Sequence, residues 1–159
     1  GAALGRGPDG ALVQDIVARH DKAVQMRMYG MMLRRDRPAA TIYGEYELVR
    51  GLASLLEETG IPVVNQLSAH SLQALPEHDP AVRHLPVEKE RIELMRGLHR
   101  QLVLADEVSH TLLNEDNTFV CVSLPLINGA QVATHMPILG SRGADFILER
   151  INTYLDTLS

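Results

Sequence analysis

Residues 39–64 read AATIYGEYELVRGLASLLEETGIPVV, and this stretch decides the fold class. An apolar strand over 39–43 stops at Gly44, and an amphipathic helix follows over 45–59. Gly60 stands where a helix C-terminus favours glycine, and a second apolar strand begins directly after it. The order of strand, helix and strand predicts a βαβ unit, which has parallel strands and a right-handed crossover.

The rest of the chain repeats this alternation. Apolar residues at helical spacing predict a long first helix from Ala11 to near Gly30. Further helices are predicted at 87–101, 106–113 and 142–158, and further strands at 61–65, 102–105 and 119–124. Residues 67–86 are predicted to form a loop with a short helix. We therefore predict an α/β, Rossmann-like fold with a small parallel sheet of about four strands and helices on both faces.

Length and composition fit one domain with an apolar core. The chain has 159 residues, of which 45% are hydrophobic and 22% are charged. We expect residues 1–9 to be a flexible leader or a cloning remnant and 10–159 to be a single α/β domain, part of a larger subunit. The net charge of −5, with scattered basic residues, disfavours nucleic-acid binding. We find no membrane span or signal segment, so the expected location is cytoplasmic.

The sequence lacks the residue patterns of several common sites. The single cysteine, Cys121, excludes an internal disulfide, and the dispersed histidines predict that this chain alone binds no metal or other cofactor. Cys121 lies between two valines and is interpreted as an apolar filler, although its role stays open. No hydrolase elbow, P-loop or dinucleotide motif is present, and Glu45 in the first turn would repel a phosphate.

A parallel sheet binds ligands outside the carboxyl ends of its strands. The candidate cofactor-binding residues are therefore Gly44, Asp106, His135, Gly140, Arg142 and Gly143. We expect residues 140–143 to form a glycine turn before the last helix, with amides facing the same cleft as Gly44 and Asp106. His135 is also compatible with a loop histidine bound to backbone. Arg142 is equally compatible with anion binding, a subunit contact or solvation.

Four methionines follow one another on the first helix, at Met26, Met28, Met31 and Met32. Such a stripe is typical of core or partner-helix packing. Because a small sheet would not cover the whole stripe, we expect the helix to be a docking surface for a second domain or subunit.

Several segments resemble the last Rossmann-like domain of nitrogenase component-1-type oxidoreductases, the family of nitrogenase subunits, their assembly scaffolds, and the protochlorophyllide and chlorophyllide reductases. Residues 40–62 are similar to that family's strand, acidic turn and GLA-x-x-L helix, and residues 10–15 to the helix that enters the domain. Residues 123–125, 136–144 and 151–152 are similar to its C-terminal pattern of proline, Gly-x-x-Gly-Ala and asparagine.

The resemblance implies a domain of a nitrogenase-like reductase subunit that supplies cofactor-pocket wall and subunit contacts. It implies homologous reductase subunits and an ATP-driven iron–sulfur protein as partners, and an iron–sulfur or related metallocluster in the parent protein. Two positions depart from the family. Leu139 replaces the histidine of cluster-ligating members, and Ser141 replaces the usual aromatic residue. The family's cluster-bridging cysteines belong to an N-terminal domain, and Cys121 matches none of them.

Two alternatives stay open beside this interpretation. One is a cofactor-assembly scaffold of the same superfamily that performs no turnover. The other is a stand-alone α/β ligand-binding or regulatory domain. The parent protein is expected to be an oxidoreductase, whereas the isolated domain is not expected to be active. The sequence leaves the substrate, the cluster type and the oligomeric state undetermined.

Overall fold

A computed structural model describes residues 10–34, 37–73, 75, 77–123 and 140–157. Strands and helices alternate along these residues, as the sequence predicts. The elements are α1 (Gly10–Met32), β1 (Ala40–Gly44), α2 (Tyr46–Glu58), β2 (Val63–Ser68), β3 (Val82–His84), α3 (Glu88–Arg96), β4 (Leu102–Ala105), α4 (Glu107–His110), β5 (Thr118–Cys121) and α5 (Gly140–Thr157). Across the described ranges, no helix combines the length and hydropathy that a membrane crossing requires.

The described strands form one sheet in the order β3-β2-β1-β4-β5, and every neighbouring pair is parallel. This Rossmann-like α/β fold confirms the predicted class. The described residues form five strands where about four were predicted, because β3 lies within the stretch predicted as a loop. Three residues between Pro80 and Pro86 are too short to display a strand period, so only pairing with β2 reveals this strand.

Helices cover both faces of the sheet, as predicted. One face packs against α1, α2 and α5 through the larger apolar cluster, in which Ile42, Leu56 and Ile147 are buried. The other face packs through a smaller cluster around Leu67 and Met95, with α3 above it. The alternation of side chains along each strand distributes these residues between the two cores.

Helix α1 runs in the same direction as α5 along the outside of the domain. Arg27 forms an ion pair with Asp145 in the second turn of α5, and Arg34 forms one with Asp156 near its end. Met31 is buried in the larger apolar cluster, and Met28 is partly buried and packs against the same cluster. The methionine stripe therefore divides between an inward face and solvent.

Several predicted boundaries shift. Helix α3 ends at Arg96 and α4 at His110, so both are shorter than their apolar patterns suggest. Residues 140–143 are not a turn before the last helix, because Gly140 is already its first residue. Gly60 has φ of +78°, which confirms that glycine is required after α2.

Candidate functional site

The direction in which successive strands are added to the sheet reverses between β1 and β4, so the topological switch point of the carboxyl edge lies between these two strands. The chain passes from β1 through α2 to β2 on one side, and β4 pairs with β1 on the other. A crevice forms at such a point because the connections leave in opposite directions. Gly44 ends β1 at this edge, and Asp106 directly follows β4.

Gly44 is buried where the chain after β5 approaches the end of β1. A Cβ atom at Gly44 would lie 3.3 Å from Ser123 Oγ and 3.5 Å from Leu48 Cδ2. The first distance is tighter than an ordinary van der Waals contact, so the glycine permits a close approach. The three residues form one packed corner at the switch point.

Asp106 is buried at the same edge, with only 4% of its surface exposed. Its Oδ1 accepts a hydrogen bond of 2.6 Å from the backbone N–H of Ser109, which makes Asp106 the N-cap of α4. This carboxylate therefore has a local structural partner.

A buried arginine connects α3 to α4 on the same side. Arg91 is 8% exposed, and its Nη1 donates a hydrogen bond of 2.9 Å to Ser109 Oγ. Its Nε donates to Glu88 Oε2 at 3.0 Å, and its guanidinium carbon lies 5.3 Å from the centre of the Tyr43 ring. Tyr43, Glu88, Arg91, Asp106 and Ser109 are named here the Arg91 network.

Burial and charge shift the titration of this network. Burial raises the pKa of Tyr43 above its ordinary value, although nearby Arg91 acts in the opposite direction. The hydrogen bond to Glu88 raises the pKa of Arg91 further, and the same bond lowers the pKa of Glu88. Arg91 is thus a fixed cation beside a neutral phenol at physiological pH.

Sequence analysis missed Arg91. Arg91 and Met95 of α3 and Leu98 just after it recur at helical spacing and are all buried, so this spacing offered a signal. An arginine at its first position looks like a solvated residue until the fold brings Tyr43 and Ser109 beside it.

The predicted site residues separate into two groups. Gly143 and Ala144 in the first turns of α5 face Leu48 and Leu52 of α2 across a groove of about 630 Å³. Gly44 adjoins this groove through Leu48. Arg142 is exposed, and Gly140 begins α5.

Asp106 packs instead with the Arg91 network, on the side of α3 and α4. The expectation that it shares one cleft with the amides of 140–143 stays a prediction. His135 lies outside the described residues.

Polar side chains lie around the carboxyl edge of the sheet and form its rim. His70 Nε2 lies 2.8 Å from Glu45 Oε1, and both side chains are exposed. His84 Nδ1 lies 3.2 Å from the carbonyl oxygen of Ser68. The rim therefore offers an imidazole–carboxylate pair beside the groove.

The described residues do not fit the coordination shell of a metal cluster. No group of three His, Cys, Asp or Glu side chains with the spacing for a metal ion occurs among them. Burial raises the pKa of Cys121, whose Sγ contacts the carbonyl oxygen of Ser123 at 3.7 Å. A protonated, half-buried thiol is a poor ligand and a poor nucleophile.

The architecture is shared with a domain of a nitrogenase chain. The structure described as nitrogenase Cp1 at pH 6.5 superposes with a TM-score of 0.70 at 14% sequence identity. The match covers 98% of this chain and 35% of that chain. No protein-family model and no curated protein matches this chain. At this identity the similarity establishes the fold.

Proposed function

We propose that this chain functions as an α/β domain of a nitrogenase-like reductase subunit. It forms one wall of a cofactor pocket outside the carboxyl ends of its strands and makes contacts between subunits. The observation that carries the proposal is the fold match, in which nearly the whole chain corresponds to 35% of a nitrogenase chain. The partners expected on this basis are homologous reductase subunits and an ATP-driven iron–sulfur protein.

The corner of Gly44, Leu48 and Ser123 supports the location of the wall. A Cβ atom added at Gly44 would lie 3.3 to 3.5 Å from Ser123 and Leu48, so the corner has no room for a side chain, and the groove between α2 and α5 opens beside it. Apolar side chains such as Leu52 and Ile147 line that groove. A rigid, mainly apolar surface excludes water from a neighbouring cofactor without binding it covalently.

The redox chemistry is assigned to the rest of the parent protein. An iron–sulfur or related metallocluster would supply electron transfer there. The described residues lack a ligand set for such a group, so we derive no catalytic step through it. What this chain contributes is shape, burial and the fixed charge of Arg91 near the carboxyl edge.

A cofactor-assembly scaffold of the same superfamily is the second candidate. Leu139 is the observation that favours it, since this side chain has no atom that could ligate a metal where family members that bind the cluster have histidine. A scaffold would hold a metallocofactor or a tetrapyrrole without turning it over.

The test uses the native protein purified without oxygen from its own source. An antibody against this chain should detect a polypeptide larger than 17.5 kDa, which copurifies with iron and with a second reductase subunit. Reductant-dependent turnover with an ATP-hydrolysing partner supports the reductase, whereas bound cofactor without turnover supports the scaffold. A native polypeptide of 17.5 kDa without metal or partner contradicts both.

A pair of glycine variants tests the pocket wall in that native protein. Gly44→Leu pushes Ser123 and Leu48 out of the corner, so cofactor content should fall. Gly10→Leu at the start of α1 is the control, because no atom lies within 4 Å of its added Cβ and Gly10 does not line the groove. Equal loss of cofactor in both variants, or in neither, argues against a wall at Gly44.

A further inference from the structure

The groove between α2 and α5 has an apolar floor and carboxylates at its rim. The floor consists of the side chains of Leu48, Leu52, Leu55 and Ile147. Leu48 and Leu55 are only partly buried by the core of this chain, so they offer apolar surface to an occupant of the groove. An apolar floor below a polar rim is the construction that binds one face of an amphipathic segment.

Small residues leave room along the middle of the groove. Gly51 and Ser54 of α2 line one wall, and Gly143 and Ala144 of α5 line the other. A Cβ atom added at Gly51 would meet nothing within 4 Å. Small residues on both walls permit the close approach of another backbone. A main chain, and not only a side chain, can therefore lie along the groove.

Two carboxylates stand at opposite ends of the α2 wall. Glu47, Gly51, Ser54 and Glu58 follow one another at spacings of four, three and four residues, so they form one stripe of the helix. The helical rise separates Glu47 from Glu58 by roughly 16 Å, about three turns. Glu58 accepts a hydrogen bond from Ser54 Oγ at 3.4 Å, and neither carboxylate has an ion-pair partner within the part of the chain that the structure describes.

Helix stability does not explain the position of Glu58. It is the last residue of α2, where the helix dipole is negative, and the last turn carries no basic residue. A carboxylate there strengthens the negative potential at that end of the groove, and the apolar walls focus this potential. The arrangement attracts a cationic group from outside the chain.

We infer that this groove binds an amphipathic helix of a partner protein, with its apolar side chains on the floor and a lysine or arginine near each of Glu47 and Glu58. The two cations lie about three turns apart in that helix. This docking specifies one of the subunit contacts in the proposed function and rests on that proposal. Three turns of helix bury less than the roughly 800 Å² that each partner of a stable complex buries, so the isolated helix binds weakly and reversibly.

Fluorescence anisotropy with two labelled helical peptides and the full chain tests the charge preference. Both peptides carry leucine at positions i, i+4 and i+7, and one has lysine at both ends where the other has glutamate. The lysine peptide should bind about tenfold more tightly or better. Glu47→Lys with Glu58→Lys should reverse this preference. Glu90→Lys with Glu115→Lys makes the same charge change at exposed positions outside the groove and should retain the preference.

Gly51→Leu tests the groove itself. The leucine side chain occupies the space between the walls, so affinity for the lysine peptide should fall by about tenfold. Leucine forms helix better than glycine, so the thermal unfolding temperature should stay equal or rise. Equal binding of the two peptides, binding of neither, or unchanged affinity after Gly51→Leu overturns the inference. Self-association of the chain that Gly51→Leu abolishes overturns it as well, because the occupant is then a second copy.

The native protein supplies the remaining test. A photoreactive phenylalanine analogue in place of Ser54 should cross-link to a partner segment with apolar residues at helical spacing and basic residues at both ends. A cross-linked segment without basic residues overturns the inference. Cofactor content in the Gly44→Leu variant does not depend on either result, so failure of the docking and failure of the pocket wall are distinguishable.

Discussion

The two faces of the sheet are held by different interactions. Apolar burial around Ile42 and Leu56 holds the face that packs against α1, α2 and α5. The face toward α3 and α4 has a smaller apolar cluster, and the buried charge of Arg91 joins those two helices. Apolar burial is non-directional, whereas hydrogen bonds fix geometry. The difference indicates that the first face supplies stability and the second fixes the shape of the carboxyl edge.

The largest effect should come from the apolar face. Leu56→Ala removes a fully buried side chain of α2 and should lower the free energy of unfolding by about 2–5 kcal/mol. Urea denaturation measures it. Leu33→Ala, at a position that is 65% exposed, is the control and should change the free energy by about 0.5 kcal/mol or less. Equal effects of the two variants would contradict the assignment of the core.

The second effect concerns the polar face. Arg91→Ala removes the donor to Ser109 Oγ and the contact with Tyr43, and should cost about 1–3 kcal/mol. Hydrogen exchange should increase in α3 and α4 more than in α2. Arg96→Ala, an exposed arginine of the same helix, serves as the control in both measurements. Uniform exchange across both faces would show that Arg91 does not fix α3 and α4 selectively.

The third effect concerns Gly60, which lies in the connection between α2 on the apolar face and β2. Gly60→Ala places a Cβ in the left-handed region, against the side chain of Arg37, and should destabilise by about 1–2 kcal/mol. Gly51→Ala in the middle of α2 should instead stabilise by up to about 1 kcal/mol. Thermal unfolding distinguishes the two, and the same sign for both would contradict the described backbone.

The smallest effect is a pH dependence of the polar face. The pKa of Glu88 lies below its ordinary value of 4.5 because Arg91 donates hydrogen bonds to it. A lowered folded-state pKa stabilises the protein above the unfolded-state value, and this contribution is lost as the pH falls through the folded-state value. The stability difference between wild type and Glu88→Gln should therefore shrink with acidification. Glu90→Gln, in the same helical turn, controls for the loss of charge, and a pH-independent difference would contradict the pairing.

Much of the fold is readable from the sequence where apolar runs are flanked by polar residues. The strand Leu102–Ala105 lies between Gln101 and Asp106, and the structure has the predicted bounds. Gly60 was also predicted correctly, because glycine is common directly after a helix and here follows α2 with a positive φ. The strand Val82–His84 was missed because it carries too few residues to show a period and depends on pairing with β2.

The candidate site is readable only in part. Topology places Gly44 and Asp106 at the carboxyl edge, since Gly44 ends β1 and Asp106 directly follows β4. Arg91 was missed because Tyr43 and Ser109, which surround it, are far apart in sequence. The Gly140–Gly143 stretch was interpreted as a turn, although two glycines near a helix start are also compatible with its first turn.

The most direct test of the pocket wall is a cryo-EM map of the native protein purified without oxygen. We expect cofactor density outside the carboxyl ends of β1 and β4, in contact with the corner formed by Gly44 and Ser123. A bound cofactor elsewhere in the assembly, with this edge facing solvent, would contradict it.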